Sequence, residues 1–435
     1  MKGNGIFEAG AARADTTPEI GTLLYGYNPH QVSTSIHDHL SVTVLALRQG
    51  DLKALLITAE IGDIHNDLTM DLRQKHSVQC EIPYDHIIVA STHTHSAPNL
   101  SGEVGWGDPD MPYYEGIFLP AVLQAAKDAA ASLAPAELSV GVTESKVGIN
   151  RREQRPDGSI ALGQNPWGCY DPNMTFIAVR NAETKAGILN LIHYGCHGTA
   201  CGCNHEITRD WSGIMIDRVE QETGTLTAYW NGAIGDVGPR LTNGRTTGDI
   251  HHVEELGGVA AFDAMRAYKA RGGYHPGSLE LFIDDMKLPH ASLPDRAFIQ
   301  SKLDEYENPE SLYNAGLMIY NYYKTTAEFL DDPTKTMPTH FTYHQTLLSL
   351  GDVLFVPSPF ETFSEIFLRL RAYSPYPYTL GLSVTNGYEL YLPTGDQLCR
   401  GGYEIDCFRF GHVFPLADNT DQNMIDENIR IMNQQ

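Results

Sequence analysis

A chain of 435 residues, 42% of them hydrophobic, can bury a large core. Its 30 basic side chains against 54 acidic ones give a formal charge of −24, a field that repels phosphate backbones and anionic lipid surfaces and so argues against nucleic acid and stable membrane association as partners. Nothing in it approaches the roughly 18 uninterrupted apolar residues of a bilayer span, and seven cysteines, odd in number and few for the length, argue against a disulfide framework.

In chain order, the opening MKGNGIFEAGAARADTTP carries a lysine with no apolar stretch behind it. It does not read as a secretory signal, so a cytoplasmic protein is the default expectation, or a secreted one if a leader was removed. LSVTVLAL, KALLITAE and HIIVAST predict strands, followed by TFIAVRN, ILNLIHY and TLTAYWN, and then by DVLFVPS and TLGLSVTN. Helical periodicity occupies 113–133, 211–222, 252–271, 297–330 and 360–372. With no repeat and no linker-like tract, the expectation is a single domain over 1–435. Its class is α/β, with α+β as the alternative: a large mixed sheet flanked by helices.

Polar clusters come directly after predicted strands: THTHS, HYGCHGT, NGAIGDVGPR, PFE and NGYELY. Ligands in open α/β sheets gather beyond the carboxyl ends of strands, so these segments are expected to feed one pocket. His93 and His95 flank Thr94, and extended residues two apart point the same way, which suits a metal ligand and a neighbour; a hydrogen-bonded pair in a loop is an equal alternative. His197 sits in a glycine-containing loop, whereas His193 belongs to an apolar strand and reads as a core histidine. Glu361, where a strand gives way to a helix, offers a carboxylate; Glu365 is its competitor, and Glu361 also reads as a first-turn acid favoured by the helix dipole. Cys196, Cys201 and Cys203 crowd into CHGTACGC, at no familiar zinc spacing, and read first as buried thiols.

Taken together, AGAARADTTP, YGY, IHDHL, STHTHSAP, NRR, HGT before ITRDWSG, NGAIGDVGP, PFETFSE and NGYELYLPT make the chain resemble the catalytic domain of the neutral, non-lysosomal ceramidases, zinc enzymes that hydrolyse the N-acyl bond of ceramide. The resemblance implies Zn2+ held by His93, His197, Glu361 and Tyr388. It implies His95 beside the activated water, Arg151 facing the scissile carbonyl, and Tyr391 and Tyr403 as further pocket tyrosines. Asp210 and Asp236 match turn aspartates that read as loop-orienting groups. With so short a stretch after Tyr403, the family's carboxyl-terminal immunoglobulin-like domain is not expected here.

The departures lie at the rim. Gly238 and Arg240 stand in GDVGPR where the family has a serine and an asparagine, and Ala97 and Asn99 replace glycines after THTHS. The expected function is therefore a zinc-dependent hydrolase cleaving an amide or ester in a small-molecule substrate more polar than ceramide. The alternatives are a metal-dependent hydrolase of a lactone, phosphoester or glycoside, and a non-catalytic protein that binds a small ligand. The tyrosine-rich stretch 297–335 is a candidate lid or homo-oligomer contact, an ordinary packing helix being the plainer reading.

Overall fold

A computed structural model describes residues 1–434. Its largest sheet is nine-stranded and mixed. The order across it is Thr227–Asn231, Gly187–Tyr194, Asn173–Asn181, Ala134–Glu144, Phe7–Asp15, Ser41–Gln49, Leu52–Ala59 and Ile87–Ser91, with His275–Pro276 pairing off this path. The interior of the sheet is antiparallel, while the pair at each end is parallel: Leu52–Ala59 with Ile87–Ser91, and Gly187–Tyr194 with Thr227–Asn231. Parallel neighbours need a crossover, and the helices Asn66–Cys80 and Asp210–Thr223 supply them.

Every predicted strand is present within a few residues of its expected place. They were legible because several are buried along their whole length and read as unbroken β-branched and leucine-rich runs. Phe7–Asp15 was not legible: its sequence FEAGAARAD is mostly alanine and glycine, which carry little strand preference. The helix Asn66–Cys80 was hidden for another reason. Its buried face includes Thr69, Arg73 and His76 beside two leucines, and Arg73 is satisfied by donating from Nε to the Ile87 carbonyl at 3.0 Å. The expected helix over 297–330 is two helices, Arg296–Leu303 and Asn314–Asp331, interrupted by a stretch containing Pro309.

The long sheet curls until its ends touch: the Thr58 hydroxyl donates to the Tyr229 carbonyl at 2.9 Å. A second, four-stranded sheet, ordered Leu279–Pro289, His340–Leu350, Val353–Pro357 and Tyr378–Leu382, ends in another parallel pair. The segment after that pair closes the seam. Ser383 N donates to Asn231 O at 3.2 Å, and Asn386 N donates to Val89 O at 2.7 Å. A shared apolar core that includes Leu56, Ile88, Trp230, Phe355 and Leu380 fills the space between the sheets. Three parallel pairs therefore turn their carboxyl ends towards one place.

Asp210 holds one of the loops that arrive there. Its carboxylate accepts from Ala200 N at 3.0 Å, Cys201 N at 2.8 Å and Trp211 N at 2.8 Å, while Trp211 Nε1 donates to His197 O at 2.9 Å. The sequence reading of Asp210 as a loop-orienting group agrees with this geometry. Asp210→Ala strands three buried N–H groups and is expected to cost about 3 kcal/mol, read from the urea midpoint, with Asp210→Asn costing less.

Candidate metal centre

Each arriving loop carries one piece of a buried cluster. His93 and His95 follow Ile87–Ser91, and His197 follows Gly187–Tyr194. The two loops meet in a single parallel bridge between Thr94 and Gly198, where a Cβ on Gly198 would lie 2.6 Å from His93 O; only glycine allows that approach. His93 itself takes φ +61, which aims its ring inward. Glu361 follows Val353–Pro357. It lies in the two-residue strand Glu361–Thr362, paired with Tyr391–Leu392, and the helix begins only at Ser364. It is thus no first-turn acid, and the helix-dipole reading falls. Tyr388 and Tyr391 follow Tyr378–Leu382.

The donor atoms converge. Nε2 of His197 and of His93 lie 3.0 and 3.6 Å from Glu361 Oε2, Nε2 of His95 lies 3.3 Å from that of His93, and the Tyr388 hydroxyl is 2.9 Å from Glu361 Oε1. Tautomers follow from the far side of each ring. His93 Nδ1 donates to Asp63 Oδ1 at 3.0 Å and His197 Nδ1 to the Val237 carbonyl at 3.1 Å, so each ring, when neutral, presents its Nε2 lone pair to the cluster. Among the described residues, Glu361 Oε2 is fully buried with no hydrogen-bond donor; its contact with His197 is a meeting of two acceptors. Two imidazole nitrogens, a carboxylate oxygen and a phenol oxygen meet at one place, and once His93 and the phenol give up their protons they form a donor set for a cation, so the fit passes that test. The groups His93–His95–His197 and Asp63–His93–Glu361, each with ligand atoms within 4.8 Å of one another, are the only such groups among the described residues. The Cys196, Cys201 and Cys203 thiols form none.

The electrostatics agree. Burial opposes charge on His93, yet Asp63 and Glu361 outweigh it and push the ring up to about 10. Burial and then Arg151 press His197 down to about 3. Burial, followed by His93 and His197, keeps His95 neutral as well. Burial and Glu361 hold the Tyr388 phenol well above its ordinary range.

Arg151, on the strand Gly148–Gln154, reaches in from the side. It donates Nε to Glu404 at 2.8 Å, Nη2 to the Tyr391 hydroxyl at 2.8 Å and Nη1 to His197 Nε2 at 2.8 Å. The last contact takes the same lone pair a metal would take, so Arg151 and a bound ion compete for His197. Asp236 joins the strand Gly148–Gln154 to the helix Ser364–Tyr373: its carbonyl accepts from Arg151 N at 2.8 Å and its carboxylate caps Ser364 N at 2.8 Å. His193 bonds the Gly381 carbonyl at 2.8 Å and faces the core, as expected.

Asp63, Tyr25 and Glu404 escaped the sequence reading. Asp63 follows the strand Leu52–Ala59, so the polar-after-strand rule could have found it; Tyr25 bonds Asp63 from a loop with no local signal. Gly26, next to it, cradles His95: a Cβ there would sit 2.1 Å from His95 Nδ1.

The cavity above the cluster is lined by Tyr25, His95, Glu103, Trp106, Tyr391 and Tyr403 and measures only about 20 Å3, room for about one water. The loop around Trp106 covers it. Asn99, one of the residues that depart from the family pattern, organises that loop, its amide donating to the carbonyls of Trp106, Gly107 and Asp108 at 3.3, 3.0 and 3.2 Å. A ligand larger than water requires the lining to give way, and this loop supplies Glu103 and Trp106 to it. Gly102, Gly105 and Gly107, all at positive φ, give it places to bend. Asn99→Ala should speed amide hydrogen exchange over 101–109 without changing exchange in the strands beneath. Divalent-metal uptake should release protons, because His93, protonated up to about 10, must lose its proton to bind. The apparent affinity therefore falls as pH drops, by about tenfold per unit for each proton released. Calorimetry in buffers of different ionisation enthalpy counts those protons, and a count of zero would place the ion elsewhere.

No family model and no curated protein matches the sequence. Solved structures do. Neutral ceramidase from Pseudomonas aeruginosa superposes with a TM-score of 0.74 at 17% identity, over 98% of this chain and 74% of that one. A ceramidase complexed with C2 superposes with a TM-score of 0.73 at 15% identity, over 98% and 74%. The chain has a neutral ceramidase-like fold.

Proposed function

We propose that the protein is a zinc-dependent hydrolase that cleaves the amide, or the ester, of a small acylated substrate. The observation that supports this most directly is Glu361 Oε2, buried without a hydrogen-bond donor among the described residues and faced by Nε2 of His93 and of His197. On this reading His93, His197, Glu361 and Tyr388 hold the ion, and Asp63 orients His93 from behind. Nitrogen and oxygen donors of this kind suit zinc and leave it acidic. The ion, when bound, supplies the Lewis acidity that makes water nucleophilic near neutral pH.

The chain's own residues do the rest. His95, neutral in its buried place, takes a proton from the attacking water and then passes it to the departing amine or alcohol. The guanidinium of Arg151, held by Glu404 and Tyr391, and the Tyr403 hydroxyl meet the negative charge that grows on the carbonyl oxygen. Trp106 packs on Tyr403 at 6.4 Å between ring centroids, which excludes bulk water once the loop is down. Burial of every titrating group in a dry pocket strengthens these interactions.

Chelation should abolish hydrolysis of N-acyl chromogens and zinc should restore it. Asp63→Asn should weaken metal affinity about 10- to 100-fold, and Arg151→Lys should lower kcat by about 10²- to 10³-fold with a smaller change in KM. A metal-loaded enzyme that cleaved phosphoryl or glycosyl chromogens but no acyl substrate would overturn the reading.

A further inference from the structure

Glu103 lines the cavity above the metal cluster yet plays no part in the chemistry just described. Its backbone N–H bonds Ser101 Oγ at 3.4 Å; among the described residues its carboxylate has no hydrogen-bond donor and no ion-pair partner. The charged groups acting on it, Asp63, Glu389 and Glu361, are all acidic. The cations of the site are already engaged. Arg151 and Arg152 both bind Glu404, at 2.8 and 2.7 Å, and a metal ion would answer the charge of Glu361. Burial, and after it these acidic neighbours, push the Glu103 carboxyl up, so it takes on negative charge only when a cation is there to answer it.

Its surroundings are aromatic. Trp106 meets Tyr403 edge-on at 6.4 Å between centroids, and Tyr403 meets Tyr391 at 5.6 Å, so a carboxylate and several π faces border the same small space. That combination selects a cation: the rings attract an ammonium through their quadrupoles and the carboxylate pairs with it. A neutral lipid amide placed there would leave Glu103 desolvated and unanswered, a cost that discriminates against it. The chain's formal charge of −24 favours the approach of cations from solution. Glu103 and Trp106 also belong to the loop that covers the cavity, so the group that reads the charge moves with the group that closes the site.

We propose that Glu103 is the specificity-determining residue of this site, and that the substrates it selects are acylated amines carrying a second, positively charged nitrogen close to the scissile bond. This rests on the hydrolase reading above for the word substrate, though not for the binding of the cation.

The test pairs N-hexanoyl-1,2-diaminoethane with its neutral isostere N-hexanoyl-propylamine on the zinc-loaded enzyme, and separately measures binding of hexylammonium against 1-hexanol by quenching of Trp106 fluorescence, with Trp106→Phe as the control. Wild type should favour the cationic amide by about tenfold or more in kcat/KM, the worth of one charge-assisted contact. Glu103→Gln should bring that ratio close to one through KM, Glu103→Asp should retain most of it, and Glu103→Lys should bind hexanoate in place of hexylammonium. If Glu103→Gln binds hexylammonium as tightly as wild type does, the proposal is overturned whether or not either amide is cleaved. If neither amide is cleaved but hexylammonium binding still depends on Glu103, the cation site stands and the hydrolase reading is the one that fails.

Discussion

A carboxylate buried between two imidazoles, with one oxygen that accepts no hydrogen bond among the described residues, has to be matched by positive charge, and Glu361 is in that position. An isolated buried charge costs far more than a protein's net stability, so it persists only where partners are held in place. Asp63 fixes the tautomer of His93, the Val237 carbonyl fixes that of His197, and the Tyr388 hydroxyl occupies the other carboxylate oxygen. Arg151 brings a cation to the cluster by way of His197, and it is restrained by Glu404, which also binds Arg152. Each of these second partners comes from a different stretch of chain. The electrostatic demand at Glu361 is thus a demand on the whole fold.

The fold meets it through repetition of one device. A parallel strand pair needs a crossover helix, and the loops after its strands emerge on the same side. Three such pairs face inward here: two at the ends of the long sheet, which its curl brings together, and one at the end of the shorter sheet, which seals the seam. The first contributes Asp63, His93 and His95, the second His197 and Asp236, and the third Glu361, Tyr388 and Tyr391. A backbone bridge between Thr94 and Gly198 then ties the first pair's loops to the second's, and the pairing of Glu361 with Tyr391 ties the two loops of the third to each other.

The residues that depart from the ceramidase-like motifs lie in two places, the covering loop and the start of the strand that carries Arg151. Asn99 ties down the backbone of the loop that carries Glu103 and Trp106. Arg240, in place of an asparagine, donates to the carbonyls of Lys146 and Gly148 at 3.1 and 3.2 Å and so braces the start of the strand that carries Arg151. Gly238 pairs with Ile149 beneath Thr246, which would lie 2.8 Å from a Cβ there; the serine of the pattern does not fit in this surrounding.

The sequence by itself determined the types of element and the ligand candidates, because both leave short-range marks: buried parallel strands read as apolar runs, and polar side chains collect where those runs stop. His93, His197 and Glu361 could be proposed from that rule alone, and Tyr388, Arg151, Tyr391 and Tyr403 only through the family resemblance, since a tyrosine or arginine in a loop carries no local signal. Tertiary structure alone decided that Glu361 lies on a strand and not in a helix turn, that Tyr25 and Asp63 stand behind His93, that Glu404 restrains Arg151, and that Glu103 is left unpaired. The physical reason is separation along the chain. Asn66 and Tyr388 meet across 322 positions, and Arg151 and Glu404 across 253; charge balance in a buried site is a property of everything within a few ångströms, and no window of sequence contains it.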